Sequence, residues 1–411
     1  QKLTAVFRNH GAVEDCLSLQ VLPKLPFYSG DNVFEVLDKS GSILQLPYDL
    51  TLPRARYLSK NQFPFHKSFK HGVVYRPGLR SGGKPDQYLA LNFDILTNDA
   101  QSRLLHDAEC LVVLDEIFSQ IKCSKLSSML IIINHSDIVN TVINFLFEHV
   151  GIDDRKRAEV LGILSQLGIE KDAEEVKTAL RAARIPHTVT RELMDKFNFL
   201  VEPQEGILKF QRAMVDLPHF MKIEKTLQYI NSVLGYFKRL GGKTKVLFSP
   251  LINYNTKYYR GGIMFQAVHQ LKSSLISLRL QRRKARIASG GRFDLLIETL
   301  ANRDIAKSST SYSVGFQLST TFLWLLLLKG LCQFNQTKGR CQVVIGSTLA
   351  SHIIAGCEVA PLLWKHSILA DVTIPVATQE DLYDDAKRDG VSYVILIRDS
   401  NTVTQKRAKK G

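Results

Sequence analysis

Apolar residues along this chain follow two periods, and the change between them marks out the elements. Two short apolar runs, Val33–Asp38 and Ile43–Leu46, flank the turn-rich Lys39-Ser40-Gly41-Ser42, which predicts a β-hairpin. Lys70–Arg76 and Tyr88–Leu96 predict a second pair of strands, joined by a loop holding Gly78, Arg80, Gly82, Gly83 and Lys84. Residues 101 to 121 place Leu104, Leu105, Ala108, Leu111 and Val112 at helical spacing, and Met129–Ile133 is a short buried strand. Ser136 is an N-cap candidate that opens a helical, charge-mixed stretch reaching about Met214. Leu227, Ile230, Leu234 and Phe237 then form one apolar helix face, ended by Gly241-Gly242. Strands are predicted at 245–248, 262–265, 274–278 and 312–318, with a helix from Asp294 to Leu300.

Phe322–Leu328 is apolar all round, which predicts a buried core helix. A polar stretch with Gly330 and Gly339 follows and reads as a linker. Beyond it, strands at 343–345, 372–376 and 393–397 alternate with helices at 352–365 and 380–388, the pattern of a parallel βαβαβ module. The expected division is a first domain over 1–332, with a helical insert over about 136–222. A linker over 333–341 and an α/β module over 342–411 follow, and the basic tail from Lys406 is expected to be disordered.

Charge changes this picture. The chain of 411 residues is formally +15, and nearly all of that excess lies between Lys225 and Phe293. That stretch holds fourteen Lys and Arg and no Asp or Glu: Lys225, Lys238, Arg239, Lys243, Lys245, Lys257, Arg260, Lys272, Arg279, Arg282, Arg283, Lys284, Arg286 and Arg292. Like charges so concentrated repel one another unless a polyanion relieves them, so nucleic acid is the expected partner. Leu280–Arg286 is densest and is expected in a hairpin or loop, where its cations could fan over a phosphate backbone; the glycine loop with Arg80 and Lys84 suits a phosphate ligand or is a plain surface hairpin. Without an RNA-binding signature, recognition would be by backbone and shape.

Other classes recede. Seven apolar residues, Phe322–Leu328, are far short of a membrane span, so no membrane partner is expected. The six cysteines include no C-x-x-C pair, which reads as reduced thiols in a cytoplasmic protein without a metal site. Gly241-Gly242-Lys243-Thr244 is not a P-loop, because Phe237 stands where the leading glycine belongs. No cofactor is expected. The first residue, Gln1, suggests a piece of a longer polypeptide.

Several motifs, in order, resemble the histidyl-tRNA synthetases. Phe7-Arg8-Asn9-His10-Gly11-Ala12 resembles motif 1, and Leu46–Tyr57 is close to R-Y-D-L-T-V-P-F-A-R-Y. Val73-Val74-Tyr75-Arg76 and Asn92-Phe93-Asp94 resemble the arms of motif 2, and Ile133-Asn134-His135 the strand before the helical insert. Tyr258-Tyr259-Arg260-Gly261 is similar to L-D-Y-Y-T-G, Gly290–Asp294 to G-G-R-Y-D, and Val314-Gly315-Phe316 to the start of motif 3. The resemblance implies an α+β fold: a class II synthetase-like antiparallel sheet with helices and a helical insert, then a small anticodon-binding-like module that stops early.

The same alignment implies that catalysis has been lost. The arginine of R-G-L-D-Y-Y falls on Tyr254, and the closing arginine of motif 3 on Phe322; Pro77-Gly78 follows Arg76 in place of a basic and an acidic residue. Each such donor to a transition state is worth about 10²–10³ in rate. Asp49, Arg76, Asp94, Tyr254, Tyr258, Tyr259, Arg292 and Phe322 are therefore expected in a vestigial amino-acid and ATP pocket. Asp49 and Asp94 are the groups that could still meet an amino group or imidazole. Synthetase motifs, lost arginines and basic charge together resemble the synthetase-like domain of the general-control amino-acid-starvation kinases, which phosphorylate translation initiation factor two. That resemblance implies a regulatory domain, not an enzyme. Its partners would be uncharged tRNA, a second copy, the kinase domain of the same polypeptide and the ribosome. The tRNA contacts expected are Lys257, Arg260, Lys272, Arg279, Arg282, Arg283, Lys284 and Arg286, with Arg80 and Lys84.

Overall fold

In the computed structural model of the chain the residues described are 2–16, 22–24, 33–61, 63, 65–78, 83–123, 127–148, 154–214, 220–253, 258–271, 284–301, 311–328, 332–334, 341–373, 376, 378–398 and 403–407. The chain divides into two compact units, Gln1–Gln333 and Phe334–Gly411. The first opens with α1 (Lys2–Asn9) and β1 (Val13–Glu14), then a small sheet of β2 (Leu22–Pro23), β3 (Glu35–Leu37) and β4 (Ile43–Gln45). Next come α2 (Thr51–Leu58), the long hairpin β5 (Phe65–Pro77) and β6 (Pro85–Thr97), α3 (Arg103–Ser119), β7 (Ile121–Cys123) and β8 (Ser127–His135). Six helices follow: α4 (Ser136–Glu148), α5 (Asp154–Leu164), α6 (Ala173–Ala182), α7 (His187–Phe197), α8 (Pro203–Met214) and α9 (Phe220–Arg239). The unit ends with β9 (Val246–Phe248), β10 (Ile263–Leu271), β11 (Lys284–Arg292), α10 (Asp294–Leu300), β12 (Tyr312–Ser319), α11 (Thr320–Leu328) and β13 (Cys332–Phe334). Its main sheet has eight strands in the order β1-β5-β6-β12-β11-β10-β8-β9, antiparallel except for the β1–β5 and β8–β9 pairs.

Register decides what each face carries, because directly opposed residues share a face. Phe69, Phe93, Phe316, Gly290, Phe265 and Ile133 lie in one row across six strands. Phe7 of α1 stacks on Phe69 and on Phe93, each at 5.3 Å, and is wholly buried. A Cβ on Gly290 would sit 2.3 Å from the Gly315 carbonyl oxygen, so only glycine fits this crossing. The adjacent row, Ser68, Asp94, Gly315, Gly291, Met264 and Asn134, points to the other face and is mostly polar or bare. One side of the sheet is thus an aromatic core; the other is the floor of a trough.

Leu227, Ile230, Leu234 and Phe237 are all buried and form the inward face of α9. The insert is anchored to the trough side by Ile169, which packs with Leu130, Ile132, Ile252 and Val268. Two expectations need correction. The helix over Phe322–Leu328 is not sealed in the core: Trp324 is 60% exposed and Leu328 64%. Hydropathy counts apolar residues but does not say which side faces the sheet, and here only Leu323 and Leu326 are buried. Lys284 and Arg286 lie on β11, the second strand of the antiparallel β10–β11 pair, in keeping with the expected hairpin; the predicted strand at 274–278 and residues 280–283 lie outside the described residues. In the second unit β14 (Val343–Gly346), β15 (Ala370–Val372) and β16 (Tyr393–Ile397) are parallel as the alternation predicts, but Val403–Arg407 adds an antiparallel strand, β17. Lys406 and Arg407 are therefore in a sheet and not in a disordered tail; one valine ahead of Thr-Gln-Lys-Arg offers no apolar alternation to read. Among the described residues, no helix is long and apolar enough to cross a membrane.

Where α1, α3 and β5 meet, His10 Nδ1 lies 3.1 Å from Glu109 Oε1 and Nε2 lies 3.3 Å from Glu116 Oε1. Lys67 Nζ is 2.5 Å from Glu109, and His106 Nδ1 is 3.5 Å from it. The hydrogen bond to Glu109 raises the His10 pKa above its ordinary value, against burial and with help from the Glu116 charge. A histidine raised on folding stabilises fully below its unfolded pKa of about 6.5, and the contribution is lost as pH rises through the folded value. Thermal melts should therefore show His10→Gln costing more at pH 6 than at pH 8.5; equal losses at both would remove the assigned charge.

Candidate functional site

The trough begins with α2. Its leading turn is held over the sheet by Gln317 of β12, whose Oε1 accepts the Leu50 N–H at 2.6 Å. Asp49 caps the same turn, with Oδ1 accepting the Leu52 N–H at 2.8 Å. Burial pushes the Asp49 carboxyl above its ordinary range, and the Tyr258 hydroxyl and the Arg76 charge oppose that shift. Tyr258 and Tyr259 are buried, and the Tyr259 ring lies against Gly291, 3.0 Å from where a Cβ would stand. Glycine here lets an aromatic ring approach the strand directly. Asp49, Tyr258, Tyr259 and Asp94 thus share one side of the sheet.

The charged groups around this trough are engaged by neighbouring side chains and carbonyls. Arg76 stacks on Tyr48 with its guanidinium carbon 3.3 Å from the ring centroid, and it donates to the carbonyls of Tyr48 and, at 2.8 Å, Tyr75. Asp94 accepts Arg54 Nε at 3.2 and 3.1 Å, Ser68 Oγ at 3.0 and 3.1 Å, and Asn92 Nδ2 at 3.1 Å. Arg54 was not a sequence candidate. It stands where the family motif has phenylalanine, and an arginine in a short helix with polar neighbours reads as a surface residue; its burial, at 5% exposure, is visible only in three dimensions. Nearby, Ile132, Asn134, Ile252, Met264, Phe265 and Gln266 line a narrow crevice with essentially no room for a water molecule, far below the roughly 300–1,000 Å³ of small-molecule pockets. Among the described residues no cluster of His, Cys, Asp and Glu could hold a metal ion.

Arg292 does not join the pocket. It follows Gly291 on β11, so its side chain leaves from the opposite face, where Nε lies 2.9 Å from Asp107 of α3 and Nη1 3.1 Å from Asp294. Tyr229 of α9 donates to the same Asp107. Burial opposes the charge, but Asp107 and Asp294 outweigh it and hold the guanidinium well above its ordinary pKa. Phe322 is half-buried in the first turn of α11, its N–H donating to Ser319 Oγ at 3.3 Å. Of the proposed nucleic-acid contacts, Arg260 and Lys84 are exposed beside the left-handed glycines Gly261 and Gly83. Arg286 is half-buried, reaching Gln266 Oε1 and the Ser165 carbonyl, each at 3.4 Å. Lys284 begins β11. Tyr254, Lys257, Lys272, Arg279, Arg282, Arg283 and Arg80 lie outside the described residues. Lys225, Lys238, Arg239 and Lys243 are exposed too; Lys238 and Arg239 also suit the negative end of α9, which is reason enough for cations there.

Residues 28–319 match the family model described as histidyl-tRNA synthetase. The chain belongs to the histidyl-tRNA synthetase family. Residues 337–411 match a second model, described as an anticodon binding domain of tRNAs, over the second unit. The eIF-2-alpha kinase GCN2 of Schizosaccharomyces pombe is 28% identical over 97% of this chain and 25% of its own length. The cytoplasmic histidine–tRNA ligase of Oryza sativa subsp. japonica is 24% identical over 97% of this chain and 48% of its own length. The chain thus spans about a quarter of the kinase relative it matches. Among solved structures, histidyl-tRNA synthetase from Nostoc sp. PCC 7120 superposes with a TM-score of 0.67 at 17% identity, covering 99% of this chain and 92% of that one. The α+β, class II synthetase-like fold is that of the family.

Within this family fold, Arg292 is a structural residue. Arg292→Met leaves Asp107 without its cation in the core, so it should cost about 3–5 kcal/mol in urea unfolding, with Arg292→Met/Asp107→Asn costing clearly less. A loss under 1 kcal/mol would show that the pair is not what holds α3 to β11.

Proposed function

We propose that this chain is a non-catalytic, tRNA-binding regulatory module, paired as a dimer, that reports uncharged tRNA to a protein kinase domain in the same polypeptide in the cytoplasm. The observation that carries the reading is the segregation of charge: fourteen cations and no acid between Lys225 and Phe293. Those cations sit in a fold whose chemistry needs arginines at positions now held by Tyr254 and Phe322. Arg76, which remains, is spent on Tyr48 and two carbonyls. Similarity to eIF-2-alpha kinase GCN2 over 97% of the chain supports the link to a kinase. The match to an anticodon binding domain supports tRNA as the polyanion. Exposed Trp324, Leu325 and Leu328 on α11 give a second copy an apolar surface to cover. The ribosome is a further partner of the same sign of charge.

Filter-binding titrations with uncharged tRNA test the reading. Affinity should fall steeply with salt, and Arg282→Ala/Arg283→Ala/Lys284→Ala should weaken binding and flatten the log–log slope by about 2–3. A flat salt dependence, or an unchanged variant, would overturn phosphate contact by this run. Histidine-dependent exchange of pyrophosphate into ATP should be absent at saturating histidine and ATP. Exchange above background would identify a working synthetase.

A further inference from the structure

Two carboxylates, Asp49 and Asp94, lie on the trough side of the sheet, and Asp94 belongs to its floor. Asp94 sits directly opposite Gly315, which is opposite Gly291, and the Tyr259 ring covers that second glycine. Gln317, two residues along β12, shares the face and anchors the turn that carries Asp49. A carboxylate at the base of such a cleft is a group that would take a ligand's ammonium or imidazolium. Here it has already been taken.

Arg54 projects from α2 onto Asp94 with Nε 3.1–3.2 Å from both carboxylate oxygens and Nη2 3.1 Å from Oδ2. Its Nη1 lies 3.6 Å from Asp15, which follows β1. Ser68 and Asn92 complete the shell of Asp94. The side chains of Arg54, Asp15 and Asp94 are each less than a tenth exposed. An external cation would have to displace a buried guanidinium from two carboxylates, and the freed arginine would have no water to enter. We propose that Arg54 is the resident cation of this pocket, a specificity-determining residue that keeps Asp94 from free histidine, so that the module responds to its macromolecular ligand and not to the amino acid. This deepens the regulatory reading and rests on it for its meaning, but its geometry does not.

The test is thermal stabilisation and calorimetry with L-histidine up to about 10 mM, conditions under which a millimolar site would raise the melting temperature. The wild-type chain and Arg54→Lys should show no response. Arg54→Phe, which restores the apolar residue of the family motif and frees Asp94, should melt lower and bind L-histidine at least tenfold more tightly than wild type. A wild-type response equal to that of R54F, or a folded R54F with no response, overturns the proposal. Because R54F leaves an unpaired buried carboxylate and could fail to fold, Arg54→Ala is titrated with methylguanidinium chloride. Recovery of its melting temperature, beyond any effect of the salt on wild type, supports a guanidinium site at Asp94; no recovery overturns it. Titration of the wild-type chain with tRNA reports separately on the regulatory reading, so a chain that fails to bind tRNA leaves the Arg54 result standing.

Discussion

The pairing of β6, β12 and β11 is the constraint from which the first unit follows. Side chains alternate between faces, so a slip of one residue would carry Phe93 and Phe316 into the trough and Asp94 into the aromatic core. The register is held from both sides. Phe7 stacks across β5 and β6 on one face, while Gln317 clamps the start of α2 on the other. Gly290 and Gly315 let the central strands pass closely enough for their rows to form, and a Cβ at either would strike a backbone carbonyl oxygen within 2.5 Å.

Each face also buries one arginine against carboxylates. Arg292 joins α3, α9, α10 and β11 through Asp107, Tyr229 and Asp294; Arg54 joins α2, β5 and β6 through Asp94, with Asp15 beyond. Buried pairs of this kind add little net stability over an apolar replacement, yet removing one partner is costly because the other charge is stranded. Their effect is on specificity of packing. An ion pair tolerates fewer orientations than a leucine contact, and these two fix the helices over the sheet on opposite sides.

What was legible in the sequence was whatever depended on order and spacing. The inward face of α9 follows from Leu227, Ile230, Leu234 and Phe237 at helical intervals, and the class II fold from motifs that occur in the right sequence. What was not legible depended on faces and partners brought together from afar. Arg292 adjoins Gly291 in the chain but serves the other side of the sheet. Arg54 meets a carboxylate forty residues away. The exposure of Trp324 turns on how α11 is rotated about its axis, which a helix apolar on every side does not encode.

These pairings show what the pocket residues do for the fold itself. Replacing Asp94 would strand Arg54 between Asp15 and an apolar surface and would leave Ser68 and Asn92 without their acceptor. Losing Arg76 would uncover Tyr48 and two carbonyls. Asp94 and Arg76 are each structural partners of their neighbours, so removing either costs folding free energy. Exposed cations such as Arg260, Lys225, Lys238, Arg239 and Lys243 lie outside that set. A surface residue makes few such demands on the core, so positive charge could accumulate there without disturbing the sheet. The pocket residues and the exposed cations thus answer to different constraints: the first are tied into the fold by their neighbours, while the second make few demands on it.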